Sequence, residues 1–591
     1  MGESSQKAPA EMSGADILVQ SLIRHGVEVV FAYPGGASMP IHQSLTKVTD
    51  KLRTILPRHE QGGGFMAHGY ARTTGKVGVC MSTSGPGATN FVTILADAKM
   101  DSVPIIAITG QVSTNVLGND AFQETPMVEI CRGITKHHYL VTRTEDLTRV
   151  MKEAFHIATT GRPGPVIIDV CKDVQVKKVV PDWDVAMNLP GYRPFRRAPR
   201  KELEPILAAL RASKRPMLYV GGGAIHSGAS EELKKFADRL GIPVAMTLHG
   251  LGAFPADHYL SLNMLGMHGT VYSNYAVNDA DLLFAFGVRF DDRVTGKLSE
   301  FCKHGKIVHI DIDNSEIHKN KHAQIPVHGD LKTALADLNA LLTEDAYADL
   351  VGGGRYTDWL RQIDEWRENE PMKVPERHDD LIIPQYAIRR LYELLKERGQ
   401  LDETVITTGV GQHQMWAAQF FQFNRPRHWV TSGGLGTMGF GYPAALGVKV
   451  AHPDKQVVDI DGDGSFLMNV QELATAHVEK IAAKAIILNN QHLGMVVQWE
   501  DNFYAGNRGH TYLGNPDDRS QVYPDYVRVC NSFNVPCERV ICKRDLKAAL
   551  QRMLDAKTAY VLDIVTPYSE HVLPFIPACR TVADMIWKQE K

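Results

Sequence analysis

Lys455-Gln-Val-Val-Asp-Ile-Asp-Gly-Asp-Gly-Ser465 decides the fold. Lys455–Asp461 predicts a strand, Gly462–Ser465 a tight turn, and Phe466–Lys480 carries helical periodicity. Ala485–Leu488 predicts the returning strand, which ends on Asn489-Asn490. Asp463 and Asn490 lie 27 residues apart, the length of one helix out and one strand back. That spacing puts both side chains at the carboxyl ends of neighbouring parallel strands, the edge where open α/β sheets bind ligands. One carboxylate and one amide oxygen are too few for a bare ion. They suit Mg²⁺, which completes its octahedron with phosphate oxygens and water. Read alone, the pattern fits any strand-turn with an Asn at the next strand end.

Working outward, short apolar runs ending in Gly, Asn or Asp recur along the chain, among them Val77–Met81, Ile105–Thr109, Val166–Val170, Met217–Val220, Leu282–Phe286, Ile307–Ile310 and Val405–Thr407. Strands apolar on both faces belong to parallel sheets covered by helices. Two Pro- and charge-rich stretches, near 177–202 and 343–380, read as irregular linkers. The expected architecture is α/β, with three domains at 12–180, 200–342 and 381–570, each a mainly parallel sheet flanked by helices, and a C-terminal tail over 571–591. The first and third domains are candidates for a shared fold.

At 591 residues the chain has room for three such domains. A net charge of −3 gives no electrostatic reason to expect nucleic acid or an anionic membrane as a partner. Eight scattered cysteines without a C-x-x-C predict free thiols in a reducing compartment. The first dozen residues are polar and read as a disordered tail without a signal-peptide core, and Gln6 breaks the myristoylation pattern. No apolar run has membrane-spanning length. The expected location is cytoplasmic.

Far upstream, Glu60 sits in Arg58-His-Glu-Gln-Gly-Gly-Gly64, after a predicted strand at Arg53–Leu56. Alone it is any solvated acid. Paired with the metal motif it matches the needs of thiamine diphosphate. That cofactor carries the hard chemistry itself, but a carboxyl group must hold the aminopyrimidine ring nitrogen so that its imino form can take the thiazolium C2 proton. Gly62–Gly64 leave room for another body to pack close. Gly434-Leu-Gly-Thr-Met-Gly439 matches a dinucleotide G-x-G-x-x-G, but its preceding strand is weak and no ribose-binding acid is placed. A loop under a bound cofactor fits better.

The chain resembles the catalytic subunits of the acetohydroxyacid (acetolactate) synthase family from Ala15 to about Pro577. The matching runs include Phe31-Ala-Tyr-Pro-Gly-Gly36, Thr83-Ser-Gly-Pro-Gly-Ala-Thr-Asn90, Asp120-Ala-Phe-Gln-Glu-Thr-Pro126, Phe286-Gly-Val-Arg-Phe-Asp-Asp-Arg293, Gly411-Gln-His-Gln-Met-Trp416 and Leu488-Asn-Asn-Gln-His-Leu-Gly-Met-Val-Val-Gln-Trp499. The resemblance implies a pyrimidine-binding domain, a central FAD-binding domain and a diphosphate-binding domain. It also implies decarboxylation of pyruvate and carboligation to a second 2-keto acid, pyruvate or 2-ketobutyrate, as the first common step of branched-chain amino-acid synthesis. FAD is structural in that scheme, because the net reaction is not a redox one.

Carried onto matching positions, Glu60 activates thiamine diphosphate, and Asp463, Asn490 and the backbone carbonyl of His492 hold Mg²⁺. Gln412, His413, Gly436, Thr437, Met438, Gly464, Ser465 and Met495 line the cofactor, with Met438 as the wedge that bends it. Gly36, Phe122, Gln123, Lys172 and Trp499 face substrate. Arg162, Gly222, Thr247, Leu248, Leu265, Gly266, Met267, His268, Gly287, Val288, Arg289, Phe290, Asp291, Asp311, Ile312, Asp330 and Leu331 contact FAD. The resemblance further implies a homodimer or dimer of dimers with shared sites, and a possible small regulatory subunit. Cys171 stands where the family usually has proline, and Ala578–Ala583 departs from the family's tail.

Rival readings are another thiamine-diphosphate decarboxylase or carboligase and a non-catalytic relative. Glyoxylate carboligase lacks the acid equivalent to Glu60. The Phe286–Arg293 run and Trp499 speak against the FAD-free catabolic enzyme. A scaffold would not require Glu60, Gln123, Asp463 and Asn490 together.

Overall fold

The computed structural model describes residues 10–352 and 354–588. Most of the expected N-terminal tail and the last three residues of the C-terminal one therefore lie outside the described residues. The apolar runs form three six-stranded, all-parallel sheets, each buried between helices. The expected α/β architecture of three such domains holds.

Counting strands from the start of each sheet, the first domain runs Val29–Ala32, Arg53–Ile55, Gly78–Ser82, Ile105–Gln111, His137–Val141 and Val166–Cys171. Their order across the sheet is 2-1-3-4-6-5. The third runs Thr404–Thr408, Trp429–Thr431, Gln456–Gly462, Lys484–Asn489, Cys537–Val540 and Tyr560–Val565, in the same order. The first and third domains thus share a topology. The middle sheet, from Pro216–Val220 to Ile325–His328, is ordered 3-2-1-4-5-6, the doubly wound dinucleotide-binding arrangement.

Equivalent helices of the first and third domains pack on each other. Glu60–Thr74 and Gly441–Ala451 each follow the second strand of their sheet. A Cβ on Gly447 would stand 1.9 Å from the Met66 carbonyl oxygen, and one on Gly69 would stand 2.3 Å from that of Ala444. Only hydrogen fits, so the two backbones touch. Gly62 gives way in the same manner, with Glu472 of the third domain 2.3 Å from a Cβ there. Of the three glycines expected to admit another body, Gly62 does so, while Gly63 and Gly64 face Pro57 and Ile94 of their own domain.

Two expectations are corrected. Phe466–Lys480 is not one helix but two, Asp463–Leu467 and Glu472–Val478. Asn469, in the break, turns its amide to the Gly439 carbonyl (2.8 Å). The stretch near 343–380 is not wholly irregular, because Thr357–Asn369 is a helix. Trp359 and Ile363 bury one of its faces, and Trp366 meets Tyr275 edge-on at 5.6 Å. That i, i+4, i+7 stripe is diluted by charged neighbours. The first stretch carries Lys178–Val179, which pairs antiparallel with Met12–Ser13. All eight cysteines are free. Among the described residues, no helix is long and apolar enough to cross a membrane.

Gly447→Ala is expected to destabilise the chain by about 1–3 kcal/mol or more, since neither backbone can retreat. The thermal unfolding midpoint reads this directly. An unchanged midpoint would mean that the two helices part at no cost.

Candidate functional site

The predicted site residues gather at the carboxyl edges of the three sheets. In the third domain, Gly462 pairs with Leu488 in parallel register, so Asp463 is level with Asn489 and one residue short of Asn490 at the ends of adjacent strands. Gln412 and His413 open the helix after the first strand. They therefore flank the switch point between the first and third strands, with Asp463 opposite. Gly436, Thr437 and Met438 follow the second strand. Met495 and Trp499 lie on helix Gly494–Phe503.

Asp463 is buried, and burial pushes it up to about 7 against the backbone N–H groups of Gly464 and Gln491, which favour its charge. Its own carbonyl accepts the Tyr526 hydroxyl at 2.7 Å, pinning the turn from behind. The Asn490 side-chain oxygen accepts the His492 N–H at 2.9 Å, curling the segment whose carbonyl the sequence offers to a metal. Gln412 Oε1 is buried without a hydrogen-bond partner among the described residues, and His413 Nε2 lies 3.3 Å from Asp461 Oδ1. Unpaired buried polar atoms are costly.

In the first domain Glu60 begins helix Glu60–Thr74, where His59 caps the Gln61 N–H. Its Oε2 accepts the Asn90 amide at 2.9 Å. Asn90, to which the sequence assigned no role, ends the short helix Pro86–Thr89 after the third strand. Gln123 adopts φ +60° and packs its backbone on Gly85, in the same turn. Lys172 is exposed, directly after the sixth strand. Cys171 has φ −59°, the value a proline ring imposes, so the chain turns as it would with proline. Gln175 ties this turn to the carbonyl of Ala37 at 2.8 Å, beside the exposed Gly36. Phe122 is 89% exposed.

The middle domain opens a cavity of about 920 Å³ at its own switch point, between its first and fourth strands. There the glycine turns meet, and a Cβ on Gly223 would lie 2.6 Å from Gly287 Cα. Of the residues expected around FAD, all but two line this cavity. Gly266 and Phe290 do not. Phe290 is buried edge-on against Tyr219 and His309 in the core. Burial pushes the lining Asp311 up to about 7. Arg162 crosses from the first domain and pairs with Glu316 at 2.6 Å. Gly436, Met495 and Trp499 also line the cavity, so it reaches the edge of the third domain.

Trp499 meets Phe575 edge-on at 5.7 Å, and Phe575 stacks on His268 at 5.3 Å. Gln498 pairs with both backbone groups of Val572, at 2.8 and 3.0 Å. The divergent tail stays docked on the middle domain, with the Lys297 N–H donating to the Arg580 carbonyl at 2.8 Å. The Gly434–Gly439 motif does precede a helix, but its strand is the edge strand of its sheet. Its glycines are used in packing: a Cβ on Gly434 would lie 2.6 Å from Asp101. Sequence reasoning missed Glu472, whose carboxylate accepts the Arg58 and His59 N–H groups at 3.0–3.2 Å.

Three family models match the chain. They are the N-terminal TPP binding domain of thiamine pyrophosphate enzymes at 12–130, their central domain at 203–338, and their C-terminal TPP binding domain at 409–564. The chain is 55% identical over 588 residues to the chloroplastic acetolactate synthase 1 of Nicotiana tabacum, covering 98% of this chain and 86% of that one. It is 55% identical over 575 residues to the chloroplastic acetolactate synthase of Arabidopsis thaliana, covering 97% and 84%. The relative from Oryza sativa subsp. japonica, acetolactate synthase 1, is 55% identical over 583 residues, covering 98% and 88%, and is also chloroplastic. These chloroplastic relatives overturn the expected cytoplasmic location. With three matched domains and identity over nearly its whole length, the chain belongs to the acetolactate synthase family of thiamine pyrophosphate enzymes.

Proposed function

We propose that the chain is an acetolactate synthase. It decarboxylates pyruvate and joins the two-carbon unit to a second 2-keto acid, giving 2-acetolactate from pyruvate and 2-aceto-2-hydroxybutyrate from 2-ketobutyrate. This is the first common step of valine, leucine and isoleucine synthesis. One observation carries the reading: two sheets of identical strand order present Glu60 at one carboxyl edge and Asp463 with Asn490 at the other.

Bound thiamine diphosphate would supply the acidic carbon and the electron sink that decarboxylation and carboligation need. The chain's part is to bind, orient and move protons. Glu60, oriented by Asn90, holds a proton at the pyrimidine nitrogen. Asp463, Asn490 and the His492 carbonyl would hold Mg²⁺ against the diphosphate, and a divalent ion there would favour the charged form of Asp463 that burial disfavours. His413, whose Nε2 lies 3.3 Å from Asp461 Oδ1, and Gln412, whose Nε2 donates to the Gln498 side chain and the Glu570 carbonyl, flank the diphosphate end. Gly436, Thr437, Met438, Gly464, Ser465 and Met495 form the bed. Gly36, Phe122, Gln123, Lys172 and Trp499 face the keto acids. The middle-domain cavity has the size and the switch-point position for FAD, in a structural role.

The site is shared between two copies. Glu60 bonds within its own domain, Asp463 within its own, and Phe122 stands bare at the first domain's edge. A second chain's third domain covers that edge, so the minimal active unit is a homodimer.

Glu60→Gln is expected to bind thiamine diphosphate yet slow exchange of its C2 proton by about 10²–10⁴-fold. Unchanged exchange by NMR would remove Glu60 from the chemistry. Trp499→Leu is expected to lower the preference for 2-ketobutyrate over pyruvate, since one methylene is worth about 1–3 kcal/mol in a pocket. A competition assay with both keto acids, supplied with thiamine diphosphate, Mg²⁺ and FAD, reads the product ratio. Failure of the unaltered chain to form acetolactate there would sink the assignment itself. Heterodimers of Glu60→Gln with Asp463→Ala collect both lesions at one site and leave the other intact. They should regain up to about half of wild-type activity, whereas inactive heterodimers of folded parents would place each site within one chain.

A further inference from the structure

The loop Ser432–Gly439 is gripped from outside its own domain. Asp101 ends helix Val92–Asp101 of the first domain. Its Oδ1 accepts the Gly434 N–H at 2.7 Å and His249 Nε2 of the middle domain at 2.9 Å. Its Oδ2 accepts the Gly433 N–H at 3.2 Å and lies 3.5 Å from the Arg72 guanidinium. Arg72 in turn reaches His249 Nδ1 at 3.2 Å and the Thr431 carbonyl at 3.4 Å. All three domains meet at this one carboxylate. One turn earlier, Asp97 accepts the Ser432 and Thr437 hydroxyls, the latter at 3.1 Å. The two glycines are needed there: a Cβ on Gly433 would stand 2.5 Å from His249 Nε2, and one on Gly434 2.6 Å from Asp101 Oδ1. Burial alone would raise Asp101, but the His249 ring and Arg72 outweigh it and hold the carboxylate charged.

The gripped loop has two working faces. Asp101, His249 and Gly433–Gly436 form part of the wall of the 920 Å³ cavity. Two residues on, the Met438 methyl comes within 3.6 Å of a Cβ position on Gly464, in the turn after Asp463. One short segment therefore borders both cofactor sites of the proposed function, on which this inference rests.

We propose that Asp101 is a positioning residue that couples the two sites: its carboxylate holds Gly433 and Gly434 as the cavity wall, so that an occupant of the cavity orders Gly436–Met438 for thiamine diphosphate. The coupling is reciprocal, because each ligand stabilises the same loop state.

The test measures thiamine diphosphate affinity by calorimetry in Mg²⁺, with and without saturating FAD. The unaltered protein is expected to bind it at least about 10-fold more tightly with FAD present, within the range usual for such coupling. In Asp101→Asn both cofactors should still bind, with that factor reduced to about two-fold or less. Ser432→Ala, which removes one of the two Asp97 contacts at milder risk to folding, should shift the factor the same way. Hydrogen exchange on the cofactor-free proteins gives an independent readout. The Gly433 and Gly434 amides should exchange faster in Asp101→Asn while helix Val92–Asp101 stays protected. Undiminished coupling in both variants, or no coupling in an unaltered protein that binds both cofactors, overturns the inference alone. Failure of the unaltered protein to bind flavin overturns the cavity assignment and this inference together.

Discussion

Two helix backbones in contact, Glu60–Thr74 against Gly441–Ala451, set where the chemistry of this chain can stand. Gly69 and Gly447 let each helix rest on the other's carbonyl oxygens. Both ends of the first helix are then held by the third domain. Glu472 satisfies the N–H groups of Arg58 and His59 just ahead of Glu60, and Arg427 donates to the Arg72 carbonyl at 3.0 Å near the far end. Glu60 therefore has no freedom of its own. Its position is inherited from a packing contact made one and a half turns or more away along the helix.

That contact also explains the density of polar groups beneath it. His68, fully buried on the same helix, is lowered to about 3 by burial and by Arg72, so it stays neutral. It lies edge-on to Phe440, the residue preceding the partner helix, at 4.9 Å. Buried charges such as Asp101 and Arg72 do not add stability merely by pairing. They join the first domain, His249 of the middle domain and the Gly433–Gly434 backbone of the third at one point.

Much of this was legible in the sequence, and the reason is periodicity. Doubly buried strands such as Leu282–Phe286 and Val166–Cys171 are unbroken apolar runs, and the residues just after them mark the binding edge. Asp463 and Asn490 could be found because each follows a strand at the sheet's carboxyl edge, and Glu60 because the metal motif called for a partner acid. Strand order could not be read, because periodicity names faces and not neighbours. The break at 468–471 was hidden because Asn469 leaves the helix to satisfy a carbonyl thirty residues away. Asp97, Asp101 and Glu472 looked like ordinary helix acids, since their partners lie hundreds of residues along the chain. Phe290 sat inside a matching run, yet its ring faces the core, as a resemblance of sequence cannot tell.

The small clasp between Met12–Ser13 and Lys178–Val179 has a mechanical consequence. It joins the point where the chain enters the first domain to the point where it leaves. Tension carried along the segment after Val179 thus meets a two-residue antiparallel pair before it meets any strand of the six-stranded sheet. The pair can peel open one bond at a time, and the sheet that carries Glu60 is spared the load.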